Sequence, residues 1–258
     1  MTATSASSVR ARCAPAPPPS PAALGRARAE PTAAAVTPGA TAEAIPALPR
    51  TVSPAERRAD AAVHALGLLA VLAGTILLLH TLLTAPSPGA SLATGLYILG
   101  LVATFACSAA YNTAPEGPRK NILRRLDHAA IFLMIAGTYT PVALLGIGGT
   151  WGTTLCAAVW AGALPGMALK LIAPGRYERA ALAAYLALGW LGVLALPTML
   201  QTMPPWQTAA IAAGGLLYTA GTAFHVAERI PYSTAIWHAF VLAAAACHFT
   251  VVLHLAAG

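Results

Sequence analysis

The sequence predicts an all-α protein, a bundle of seven transmembrane helices with the N-terminus cytoplasmic and the C-terminus outside. Two observations carry that prediction. Seven apolar stretches each approach or exceed the roughly 20 residues that a helix needs to cross the hydrocarbon core. All 15 Lys and Arg fall in segments that alternation places on one side of the membrane. Cationic residues are retained on the cytoplasmic face, which orients the bundle. Composition agrees, since a chain 57% hydrophobic and 9% charged has too little polar surface for a soluble domain of this size.

The stretches run Ala59–Leu83, Ala90–Tyr111, Leu126–Ile147, Thr150–Ile172, Arg179–Leu200, Trp206–Ala227 and Thr234–Ala256. Arginines from Arg10 to Arg58 precede or open the first. Arg119, Lys120, Arg124 and Arg125 separate the second from the third. Lys170, Arg176 and Arg179 flank the next inside loop, and Arg229 the last. The connections near Pro86, Gly149 and Pro204 carry no charge, which suits the outer face. The net charge of +7 is spread over loop ends and a tail, so it speaks for topology and anionic lipid rather than for nucleic acid.

Residues 1–54 read as a separate material, rich in Ala, Pro, Thr and Ser, with too few large apolar residues to build a core. The Pro15–Pro21 region excludes a signal-peptide apolar core, and a disordered cytoplasmic extension is expected. Residues 55–258 form the membrane domain, and the plasma membrane is the expected location. Cys13, Cys107, Cys156 and Cys247 lack CxxC spacing, so buried thiols are expected rather than a zinc knuckle or a disulfide framework.

Depth in the membrane then sorts the polar residues. Asp60 and His64 lie one turn apart near the start of the first helix. Ser108 and Asn112 end the second, and Asp127 and His128 open the third. His225 is near the inner end of the sixth, and Thr234 and His238 open the seventh. Such residues are costly in a bilayer and usually face the bundle interior or a wet cavity.

The run Leu126–Pro141, LDHAAIFLMIAGTYTP, resembles the third helix of the hemolysin III family. That family belongs with the adiponectin and progestin receptors and, more distantly, with alkaline ceramidases. Glu56–Gly67 (ERRADAAVHALG) and Ile230–Phe249 resemble its first and seventh helices. The resemblance implies a zinc ion near the cytoplasmic face, held by three His. One comes from a Ser-x-x-x-His at the end of helix two and two from an HxxxH opening helix seven, with an Asp of helix three close by. Ser108, Asp127 and His238 match that pattern. Asn112 and Thr234 stand where the other two His would be, offering neutral oxygens that suit harder cations than zinc.

Three readings follow. In the first, His64, His225 or His128 joins His238 to rebuild the zinc site, Asp127 acts as base or orienter and Ser108 hydrogen-bonds developing charge. The substrate would be a lipid ester or amide. In the second, the protein is a non-catalytic sensor or receptor for a membrane ligand, with a degenerate site. In the third, the inner polar layer only fixes helix packing, with Asp127 as a helix cap. A conducting pore has little support, because no polar stripe runs the full depth of a helix. Outside this layer, Pro141, Pro165 and Pro197 are expected to interrupt helices three, four and five. Thr138 and Thr140 are candidates to satisfy the carbonyl freed in helix three. His80 and His254 would be neighbours if the first and last helices close the bundle.

Overall fold

Ser53 and Glu56 open the first helix with a reciprocal cap. The Ser53 hydroxyl accepts from the Glu56 amide at 3.2 Å, and a Glu56 carboxylate oxygen accepts from the Ser53 amide at 2.8 Å. Pro54 sits at the first helical position, where its missing N–H costs nothing. These contacts start the helix before the apolar stretch begins.

The computed structural model describes residues 50–84, 89–227 and 229–258. Among these residues, seven helices long and apolar enough to span a membrane follow in order: α1 Pro54–Thr84, α2 Ala90–Thr113, α3 Pro118–Ile147, α4 Gly149–Ile172, α5 Glu178–Thr202, α6 Pro205–Val226 and α7 Ser233–Ala257. The expected stretches each coincide with one of them. The extension expected over residues 1–54, with Cys13, lies outside the described residues apart from its last few positions. Cys107, Cys156 and Cys247 are free thiols within helices.

The largest departure from expectation is the start of α3. It begins at Pro118, after Gly117, so Arg119, Lys120, Arg124 and Arg125 lie on the helix rather than in a loop. Pro at the helix start sets the backbone angle, and the charged turns project beyond the apolar part of the span.

Two helices change pitch. α3 passes into a π-helical stretch, Val142–Ile147, directly after Pro141. The Thr140 hydroxyl donates to the Ala136 carbonyl at 2.7 Å and accepts from the Trp160 indole at 3.0 Å. It therefore ties α3 to α4 instead of capping the carbonyl that Pro141 leaves free. α5 passes through a 3₁₀ stretch, Leu191–Ala195, just before Pro197. Tyr139 of α3 bridges that break, its hydroxyl donating to Gly189 O at 2.8 Å and accepting from Gly192 N at 2.7 Å. Pro165, by contrast, lies inside a continuous α4.

Packing is close where side chains are small. A Cβ on Gly100 would come within 2.9 Å of the Leu133 carbonyl, and one on Gly137 within 2.8 Å of the Leu96 carbonyl. α2 and α3 thus meet backbone to backbone, the approach that glycine permits in membranes. On α1, His64, Gly67, Val71, Gly74 and Leu78 face inward, while Leu66, Leu69, Leu72, Ile76 and Leu83 are exposed. Both faces are apolar, as expected for a helix with lipid on one side and protein on the other. α1 also packs against α7, closing the bundle. His254 sits edge-on to Trp206, with ring centroids 5.4 Å apart, whereas His80 is exposed.

Candidate metal centre

The cap that starts α1 also positions the site. Glu56 is 5% exposed, and its second carboxylate oxygen accepts from Arg50 at 2.5 Å and from the Tyr232 amide at 2.7 Å. Tyr232, in the left-handed region at φ 61°, immediately precedes α7. One carboxylate therefore fastens the starts of the first and last helices together, 176 residues apart in sequence.

One turn further along each helix, the polar side chains meet. Asp60 and His64 share one face of α1. The Nδ1 of His238 on α7 lies 2.6 Å from Asp60 Oδ1. A carboxylate can only accept, so with Asp60 ionised His238 donates from Nδ1, and its Nε2 is left facing the Ser108 hydroxyl at 3.4 Å. The other Asp60 oxygen lies 3.5 Å from His64 Nε2. That nitrogen is buried and makes no hydrogen bond. The two imidazole rings are 4.3 Å apart, tilted by 51°.

Asp60, His64 and His238 each offer a ligand atom, all within 4.8 Å of one another, and the three side chains are 13%, 6% and 11% exposed. Among the described residues this is the group of His, Cys, Asp and Glu that could hold a metal ion. Two imidazoles and one carboxylate form a recognised catalytic zinc set and leave a position open. Ligands about 2.0–2.2 Å from a tetrahedral zinc stand about 3.3 Å apart, so an ion would draw the more distant donor atoms inward and would replace the Asp60–His238 hydrogen bond, whose atoms are closer than that. His64 Nε2, buried and without a hydrogen bond beside the Asp60 carboxylate, is the nitrogen that a bound ion would satisfy.

The remaining expected residues are placed as follows. Asp127 lies beside Ser108 and within electrostatic reach of His64. The Asn112 side-chain amide donates to the Ser108 carbonyl at 2.9 Å and approaches its hydroxyl at 3.4 Å, orienting Ser108 rather than standing in for an imidazole. Thr234 is exposed and does not join the group. His128 faces Glu178 across 3.6 Å, and His225 packs its ring 5.2 Å from that of Trp237. Neither meets His238, so of the three candidate replacements His64 alone is brought to it. Asp60 was visible as a polar residue at this depth, but its position between two imidazoles depends on the angle at which α1 and α7 pack.

Fold and site together define a seven-helix membrane protein with a buried Asp–His–His group where the first and last helices meet. The chain belongs to the Haemolysin-III related family, whose model matches residues 56–249. It is 31% identical over 198 residues to the hemolysin-3 homolog of Bacillus subtilis (strain 168), covering 77% of this chain and 93% of that one. It is also 31% identical over 198 residues to hemolysin-3 of Bacillus cereus, covering 90% of that chain. Identity to the human monocyte to macrophage differentiation factor is 28% over 165 residues, or 61% of this chain and 67% of that one. Asp60, His64, Ser108, Asp127 and His238 all lie within the matched region.

Proposed function

We propose that the protein is a metal-dependent hydrolase of a lipid ester or amide, working in the membrane at its charged end. The observation that carries this reading is the convergence of Asp60, His64 and His238, with the buried Nε2 of His64 facing the Asp60 carboxylate without a hydrogen bond. In this scheme Asp60, His64 and His238 hold a zinc ion, which when bound supplies Lewis acidity toward a carbonyl and toward water.

The chain's own side chains do the rest. The Asn112 amide holds Ser108 in place, and the Ser108 hydroxyl hydrogen-bonds the oxygen on which charge develops. Asp127, beside Ser108, takes the proton from the attacking water at a carboxylate oxygen and returns it to the leaving group. The bundle excludes bulk water, which strengthens each of these interactions. Asp127→Asn is expected to keep the metal and lower hydrolysis of a lipid ester or amide by about 100-fold or more, the usual range for a lost general base. Hydrolysis that survives chelation but is lost in Ser108→Ala would contradict metal dependence and point to the serine hydroxyl.

A second reading, ligand sensing, has one observation in its favour. At the opposite end of the bundle a cavity of about 450 Å³ is lined by Leu144, Met203, Gln207, His254 and Leu255. Gln207 is 1% exposed and its carbonyl oxygen lacks a hydrogen-bond partner, so a small ligand with an O–H or N–H donor would complete it. A ligand-induced change in hydrogen exchange at the metal-binding end, abolished by Gln207→Leu, would support sensing over catalysis alone.

A further inference from the structure

Away from the Asp–His–His group, the charged end carries a second polar cluster, where α3 meets the connection between α4 and α5. Lys170 is 2% exposed and donates to Glu178 at 2.5 Å, and Glu178 also faces His128. This single carboxylate is thus engaged by two partners. Arg124, within electrostatic reach of that carboxylate, and Arg125 follow one another on the first turns of α3, both half-buried. Arg125 has one weak contact, from Nη1 to the Leu171 carbonyl at 3.4 Å. The Nε atoms of both arginines are buried and make no hydrogen bond. Gly175, at φ 75°, turns the chain past Arg124 with no side chain in the way; a Cβ there would lie 3.3 Å from Arg124 Nη2. Lys170 and His128 thus take up the one carboxylate, and the buried Nε atoms of both guanidinium groups are left without acceptors.

Leaving such groups unpaired is costly, and a planar fork is matched by the oxygens of a phosphate. At this depth the phosphates present in quantity are those of the lipids themselves, and basic pockets between helix ends are suited to anionic headgroups. We propose that Arg124 and Arg125, with the Gly175 turn as the open edge, form a binding site for the phosphate of an anionic phospholipid. The site is separate from the metal centre and needs no activity there.

The test uses the full chain purified in a mild neutral detergent, with bound lipid counted by native mass spectrometry during titration with phosphatidylglycerol or phosphatidylcholine. Wild type is expected to retain one phosphatidylglycerol and to bind it at least about tenfold more tightly than phosphatidylcholine, as loss of a charge-assisted pair implies. Arg124→Gln with Arg125→Gln should erase that preference. Arg124→Lys, which keeps the charge but not the fork, should lose part of it, and Arg229→Gln at another exposed loop should change affinity by less than about twofold. Equal binding of the two lipids, or an equal loss in the Arg229 variant, would overturn the proposal in favour of non-specific attraction. Inorganic phosphate that displaces phosphatidylglycerol at matched ionic strength would overturn the lipid assignment in favour of a free phosphate site. Metal content measured on the same samples should be unchanged throughout, which separates this result from the fate of the metal reading.

Discussion

Asp60 accepts a short hydrogen bond from His238 and turns its other oxygen toward His64 Nε2, which makes no hydrogen bond. Replacing it by Asn keeps the volume but substitutes a neutral amide for the charged ligand, so metal affinity should fall by at least tenfold, read by competition with a chromophoric chelator. Thr234→Ala, at an exposed position, should leave affinity unchanged in the same assay. The roles of single residues were only partly legible in the sequence. His64 and His238 are set at the right depth by the periodicity of their helices. Which of several equally deep residues touch is decided by rotation of each helix about its axis, which apolar length does not encode. His128 adjoins Asp127 in sequence but lies about 100° around the helix from it, which carries it toward Glu178.

At the scale of elements, the spans were legible because bilayer thickness demands a minimum apolar length. The starts of α1 and α3 were not, because both begin in charged turns that hydropathy assigns to loops. In α1 the signal was present as Ser53-Pro54-x-Glu56, a capping box with Pro at the first helical position. Glu56→Ala would remove the cap and the tie to Tyr232 together. The expected result is a lower melting temperature and weaker metal binding, since the tie holds Asp60 against His238. The break in α5 makes a separate prediction. Tyr139→Phe strips the partners from Gly189 O and Gly192 N and should cost about 1–3 kcal/mol in denaturant unfolding, with metal content unaffected. A wild-type unfolding midpoint in that variant would mean that the 3₁₀ stretch is stable without the bridge.

For the whole molecule, the two ends are chemically unlike. The starts of α1, α3, α5 and α7 meet the ends of α2, α4 and α6 at the end that carries the acidic and cationic side chains, as the Asp60–His238, Ser108–His238, Arg125–Leu171, Lys170–Glu178 and His225–Trp237 contacts require. The opposite end, around Gly149 and Pro204, has no Lys or Arg. Retention of positive charge predicts that the first end is cytoplasmic. A cysteine placed at Glu116 in a background lacking native cysteines should then react with an impermeant maleimide only in opened cells, and one at Gly149 in intact cells. The reverse pattern would invert the bundle. Closure of α1 against α7 is what brings residues from the two ends of the domain into one site.

The most direct measurement is metal content by elemental mass spectrometry of the detergent-purified chain, beside Asp60→Asn, His64→Ala and His238→Ala variants that elute as the wild type does. About one zinc per chain is expected, in keeping with the three-ligand set among the described residues, as is its loss in all three variants. Well-folded wild-type protein that takes up no metal when offered zinc, or zinc that persists when His64 and His238 are removed, would contradict it.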